Sequence, residues 1–169
     1  MNIKTWIDYG RELAEKHTAI LHADAQNRKA FQVIDVEEAF GDIKSLTGDV
    51  AVRWFIPTYN IPDPGGSPQK IYQAGFLILA KHSRGNTDAY IDAIVKAEQI
   101  ADQFLTRIRH DSQEDSLLFL GGQDSLEDMS ITGIPMKGGL DTSYSGWVVT
   151  LRVMSPFEQD CIGSNWSDL

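Results

Sequence analysis

Between Asp88 and Arg109, apolar residues return at helical spacing: Ile91, Ile94, Val95, Ala101, Phe104, Leu105 and Ile108. Asp92, Lys96, Gln99 and Gln103 lie away from that stripe. Thr87 or Asn86 can cap the start, Asp88 suits the first turn, and Arg107, Arg109 and His110 suit the last. Such a helix is about 33 Å long. Its stripe needs an apolar face to cover, so the rest of the chain must supply a sheet for it to lie across.

The sheet is legible on both sides of the helix. Val50 to Tyr59 reads as a strand, with Val50, Val52, Trp54 and Ile56 on one face and Ala51, Arg53 and Phe55 on the other. The stretch Ile61 to Pro68 holds three prolines and two glycines and cannot continue a ladder. Ile71 to Ser83 returns as a second strand, giving a long hairpin with a projecting tip. Residues 130 to 136 and 144 to 154 are the closing strands, joined through Gly138 and Gly139. At the other end, residues 3 to 21 read as a helix with an imperfect stripe (Ile3, Trp6, Ile7, Leu13, Ala14, Ile20, Leu21) interrupted by Gly10. Phe31 to Ile34 is a short strand, and Asp35 with Glu38 has capping-box spacing for a short helix to Leu46. The expected fold is α+β: a mostly antiparallel sheet with a long hairpin and helices packed on one face, forming a single domain over 1–157. Residues 111–128 form an acidic surface excursion, with six acidic residues and no basic one, and 158–169 a loosely held tail.

Composition narrows the classes. With 42% hydrophobic and 23% charged residues the chain is globular in character. Its longest strongly apolar run, about Gly75 to Ala80, is too short to cross a bilayer, and Asp8 and Glu12 with no apolar core argue against a secretory leader. The lone Cys161 can build neither an internal disulfide nor a thiolate metal site, so a reducing cytoplasm is the default. A formal net charge of -9, with scattered Lys and Arg, argues against nucleic-acid binding.

No catalytic signature appears: no nucleophile elbow, zincin helix, phosphate loop or dinucleotide fingerprint. Gly65 and Gly66 open onto Ser67 and Pro68 with no helix behind them, a poor phosphate cradle. His17, His22 and Asp24 offer three groups for a divalent ion at a helix end, but the spacing is unspecific and solvated side chains are the plainer reading. His82 and Arg84 suit either an anion or a strand exit, and Asp88 with Asp92 suits either paired carboxylates or a solvated helix face. Cys161, beside Asp160, lacks the electropositive setting of a reactive thiol. The acidic segment lacks the alternation and central glycine of a calcium loop. No enzyme activity, cofactor or metal is expected.

Surface chemistry remains. Both alternating sets of the sheet carry large apolar groups (Trp54, Phe55, Phe76, Leu77, Ile78, Leu79), more than one covered face requires, so a partner subunit is expected over the second face. Trp147 reads as core, and Trp54 and Phe55 must point to opposite faces. Trp54, Phe55, Tyr59, Pro62, Pro64, Tyr72 and Phe76 are the expected interface residues, with Trp166 as an anchor from the tail.

The order of leading helix, hairpin with a Pro/Gly-rich tip, long amphipathic helix and closing strands ending in Trp147-Val148-Val149-Thr150-Leu151-Arg152-Val153 and Pro156-Phe157 resembles the tail-terminator and tail-completion proteins of bacteriophages and prophages. The resemblance covers residues 1 to 157. It implies a structural protein that forms a ring with itself, commonly hexameric, docks to the tail tube or neck through hairpins and loops, and has no catalytic residues. It also implies residence in the cytoplasm during synthesis and in a virion or tail-like particle after assembly. An acidic lining would then repel passing DNA, and reversing Asp124, Glu127 and Asp128 to lysine would impair its passage. The rival readings are a monomeric adaptor using 111–128 and a small metal-dependent hydrolase using His17, His22 and Asp24.

Overall fold

A computed structural model of the chain describes residues 3–20, 30–35, 48–62, 69–114, 131–136 and 143–156. Its elements run α1 (Ile3–Lys16), β1 (Phe31–Ile34), β2 (Val50–Phe55), β3 (Thr58–Asn60), β4 (Gln69–Lys81), α2 (Thr87–Glu114), β5 (Ile131–Met136) and β6 (Tyr144–Pro156). The capped helix expected after Asp35, the Pro64 and Trp166 positions, Cys161 and the 158–169 tail lie outside the described residues.

The spine is the antiparallel pair β4 and β6, in register from Gln69 opposite Pro156 to Lys81 opposite Tyr144. Around it the sheet is ordered β1-β2-β4-β6-β5, with β3 also on β4. All pairs are antiparallel except β1 with β2. This is the expected α+β arrangement.

Both helices pack on one face. Trp6, Leu13 and Ala14 of α1 and Ala97, Phe104 and Ile108 of α2 share a core with Val52, Trp54, Phe76, Ile78, Val149 and Leu151 of the sheet. The lock at its centre is a pair of indoles. Trp54 Nε1–H donates to the Trp6 carbonyl at 3.0 Å, and Trp6 Nε1–H donates to the Phe55 carbonyl at 3.2 Å. Their rings lie 4.5 Å apart, and Trp54 stacks on Phe76 at 5.2 Å and 8°. Gly10, which interrupts the α1 stripe in the sequence, is what lets the helix backbone reach this indole: a Cβ there would run into the Trp54 ring.

Four departures from the sequence expectations have physical causes. The 50–59 strand is split. Trp54 faces Phe76 but Thr58 faces Gln73, so the β2–β3 side carries one residue more than β4 across Phe55, Ile56 and Pro57. Pro57 has no N–H to give a ladder, and a bulge is the usual accommodation. α1 ends at Lys16, short of the expected 21, because His17 Nδ1 accepts the Ala19 N–H at 3.2 Å, in place of a helical bond. α2 runs on to Glu114, taking in the start of the segment read as an excursion. Ser112 is buried there and donates to the Arg109 carbonyl at 2.7 Å. Asn86 is its cap, accepting the Ala89 N–H at 3.0 Å.

The fourth departure concerns which stripe of α2 faces the sheet. The buried side is Ala93, Ala97, Ile100, Ala101, Phe104 and Ile108, whereas Ile91 and Val95 point out. Alanines let the helix backbone approach the strands closely, so the small residues go inward and the bulky pair is left on the outer side.

The second face of the sheet also differs from expectation. Ala51, Phe55, Leu77, Leu79, Met136, Tyr144 and Val148 are all buried within the single chain. No partner subunit is needed to cover that part of the face.

Candidate functional site

The structure divides the expected interface residues. Trp54 and Phe76 are fully buried between sheet and helices, Tyr72 is buried on the same side, and Phe55 is buried on the other. These four belong to the core, not to an interface, because the chain's own helices and strands already exclude water from them. Tyr59 and Pro62 are exposed, Tyr59 by 54%.

Tyr59 sits on the arm formed by β3 and the first half of β4. The bulge at Pro57 changes the alternation, so Tyr59 pairs with Tyr72 and both rings stand on the helix side of the sheet, 5.7 Å apart. Lys70 Nζ lies 4.0 Å from the Tyr59 centroid and 5.6 Å from that of Tyr72. An ammonium over an exposed aromatic ring such as that of Tyr59 contributes about 0.5–1 kcal/mol. Ile61, 38% exposed, continues the patch toward the tip. The described residues of the arm, 56–62 and 69–75, include no carboxylate; Asp63 falls in the undescribed tip. Ile3 and Ile134 are exposed singly, and an exposed apolar pair stands on α2, where Ile91 and Val95 are 50% and 43% exposed. Asp88 and Asp92 are exposed beside them, the solvated face expected from their spacing.

A cleft of about 180 Å³ lies between α1 and α2, floored by Leu13 and Phe104. Its rim is closed by internal pairs. Glu12 and Lys16 form an ion pair, and Asp111 accepts from Arg107 Nε at 2.7 Å and from the Tyr9 hydroxyl at 2.9 Å. Burial works to raise the Asp111 pKa, but the hydrogen bonds from Arg107, Tyr9 and His110 outweigh it and hold the carboxyl below its ordinary range. Tyr9 moves the other way: burial first, then its bond to Asp111, hold the phenol protonated well above its ordinary value. His17 belongs here, with Nε2–H toward Gln103 Oε1 at 2.8 Å and its ring against Phe104. Since Nδ1 accepts from Ala19, the tautomer is fixed and the imidazole bridges the two helices. Small-molecule sites usually span roughly 300–1,000 Å³. This cleft is smaller and its polar groups are paired with one another, the pattern of a helix–helix seam. His22 and Asp24, the other members of the suggested metal group, lie outside the described residues, and among those described no three His, Cys, Asp or Glu side chains come together.

His82, buried, and Arg84, exposed, both bond to the chain at the start of β6. His82 N–H donates to the Ser143 carbonyl at 2.9 Å, and Arg84 Nε–H to Ser143 Oγ at 2.9 Å. The Ser83 carbonyl 3.2 Å from His82 Nδ1 requires the proton there, so Nε2 accepts the Ser145 hydroxyl at 3.0 Å. A serine hydroxyl on an imidazole is the geometry of nucleophile activation, but Ser145 is fully buried and no substrate can approach it. The pair fastens the end of β4 to β6, which is the strand-exit reading. Sequence reasoning missed Ser145, since nothing in its position marks it as the partner of His82.

No protein-family model matches the chain, and no curated protein matches its sequence. Among the described residues, no helix is long and apolar enough to cross a membrane. Asp124, Glu127 and Asp128 of the acidic segment lie outside the described residues.

Proposed function

We propose that this protein is a structural subunit that assembles with copies of itself and docks to other proteins of a larger particle, in the manner of a phage tail-terminator or tail-completion ring. The observation that carries the reading is the arm. Tyr59 and Ile61 are large and exposed on an arm where β3 pairs with β4 and β4 with β6, and Lys70 lies over the Tyr59 ring. Exposed aromatic anchors on ordered backbone are the residues that dominate protein interfaces. The apolar second face, which sequence alone assigned to a partner, is buried by the chain at Ala51, Phe55, Leu77, Leu79 and Val148 and exposed at Ile134 on β5, so it does not carry this reading. Neighbouring subunits and tube or neck proteins are the partners this reading names, and no catalytic step is involved.

The experiment is a concentration series by sedimentation velocity on the wild type and on Tyr59→Ser/Ile61→Ser. The wild type should sediment as an oligomer that dissociates on dilution, and the arm variant as a folded monomer. An arm variant that assembles like the wild type would refute the assignment of function to the arm.

A further inference from the structure

We propose that the outer face of the first turns of α2, centred on Ile91 and Val95, is the receptor for the arm of a second copy of this chain. The inference rests on the self-assembly reading and names a surface for the arm to meet. Isolated exposed apolar residues need no explanation. These two are adjacent, one helical turn apart, and both stand outward while alanines fill the buried stripe.

Three observations select the arm as the occupant. The first is composition: Tyr59 and Ile61 offer an exposed aromatic and aliphatic pair. The second is charge. Lys70 is a cation of the arm beside Tyr59, while Asp88 and Asp92 flank Ile91 at the spacings that place all three on one face. Lys96 follows Val95, so the acidic side of the receptor is its N-terminal side. The third is position. β4 begins in the arm at Gln69 and ends at Lys81, and α2 begins at Thr87, its Tyr90 edge-on to His82 at 5.6 Å. Lys70 and Ala80 are therefore separated by about 33 Å of strand at ~3.3 Å per residue. Ile91 stands at the Ala80 end. The arm and the receptor occupy opposite ends of one molecule, so the arm meets the receptor of a neighbour.

A contact between two different surfaces at opposite ends repeats from copy to copy, and closes into a ring or extends as a filament according to the rotation it imposes. Self-complementary pairing about a two-fold axis would instead stop at two chains.

The test mixes two variants, each with one surface disabled: Tyr59→Asp/Ile61→Asp on the arm and Ile91→Asp/Val95→Asp on the helix. All four positions are exposed, and a thermal melt of each variant checks that the fold is kept. Each alone should be monomeric. Mixed in equal amounts they should form a complex of two chains and no larger, because the one working arm meets the one working receptor. Lys70→Glu should raise the concentration of half-assembly by about tenfold or more, and Asp88→Lys/Asp92→Lys in the same chain should recover most of that loss. Helix variants that assemble like the wild type while the arm variant does not would overturn the receptor and leave self-assembly standing. A wild type that is monomeric at every concentration would overturn both.

Discussion

Replacing Gly10 by alanine separates the packing account from a propensity account by its sign. In an open helix interior, Gly→Ala stabilises by roughly 0.8–1 kcal/mol because alanine loses less conformational freedom on folding. At Gly10 the added Cβ meets the indole of Trp54, which is fully buried and wedged between Trp6 and Phe76. Overpacking of a filled core costs about 1–3 kcal/mol. Moving the indole also weakens the bond from its Nε1–H to the Trp6 carbonyl, worth about 0.5–1.5 kcal/mol. The net expectation is a loss of about 1–3 kcal/mol, or a fall in Tm of roughly 2–12 °C for a chain of this size. Urea unfolding followed by tryptophan fluorescence measures it, and Trp54→Phe tests the cause. In that background the Gly10→Ala penalty should shrink, the two effects being coupled through one contact. A Gly10→Ala variant as stable as the wild type, or more stable, would refute the argument that the Trp54 indole rests against α1.

Two further perturbations address the polar locks. The depressed pKa of Asp111 contributes stability that is present above the ordinary carboxylate range and lost as pH falls through the folded value. Asp111→Asn should therefore lower Tm at pH 7 and flatten the fall in Tm between about pH 4 and pH 2; parallel Tm–pH curves for the two proteins would contradict this. Ser145→Ala removes the donor to His82 Nε2 in a buried setting and should cost about 1–3 kcal/mol in denaturant unfolding while leaving oligomer mass unchanged. A neutral effect on stability would show that the imidazole does not depend on that hydroxyl.

Where periodicity and position agreed, the sequence was a sufficient guide. The two alternating sets of β2, the long β4 and β6 strands, and the existence of α2 all follow from alternation or helical recurrence over many residues. The expected stripe of α2 holds at Ala101, Phe104 and Ile108 and fails in the first turns, which show the limit. Weighing residues by bulk favours Ile91 and Val95 for the core, whereas Ala93, Ala97 and Ala101, at the same four-residue interval, allow a closer approach to the sheet and win. The candidate site was lost at this step, because its helix half lies in residues assigned to the core. The arm half was legible at Tyr59 and Pro62 but was grouped with Phe76 and with Trp54, whose ring packs against Gly10. That packing is a contact between α1 and β2, and no local pattern in either segment announces it. The closure of the second face was hidden for the same reason: which segments cover Leu77 and Leu79 is a property of the whole fold.

The mass of the wild-type chain in solution, measured by light scattering over a hundredfold range of concentration, bears most directly on the proposed function. The account predicts a discrete closed oligomer of several copies whose population falls on dilution, with a ring of six as the resemblance implies. A single-chain mass throughout that range would contradict it and turn attention to an adaptor that acts as a monomer.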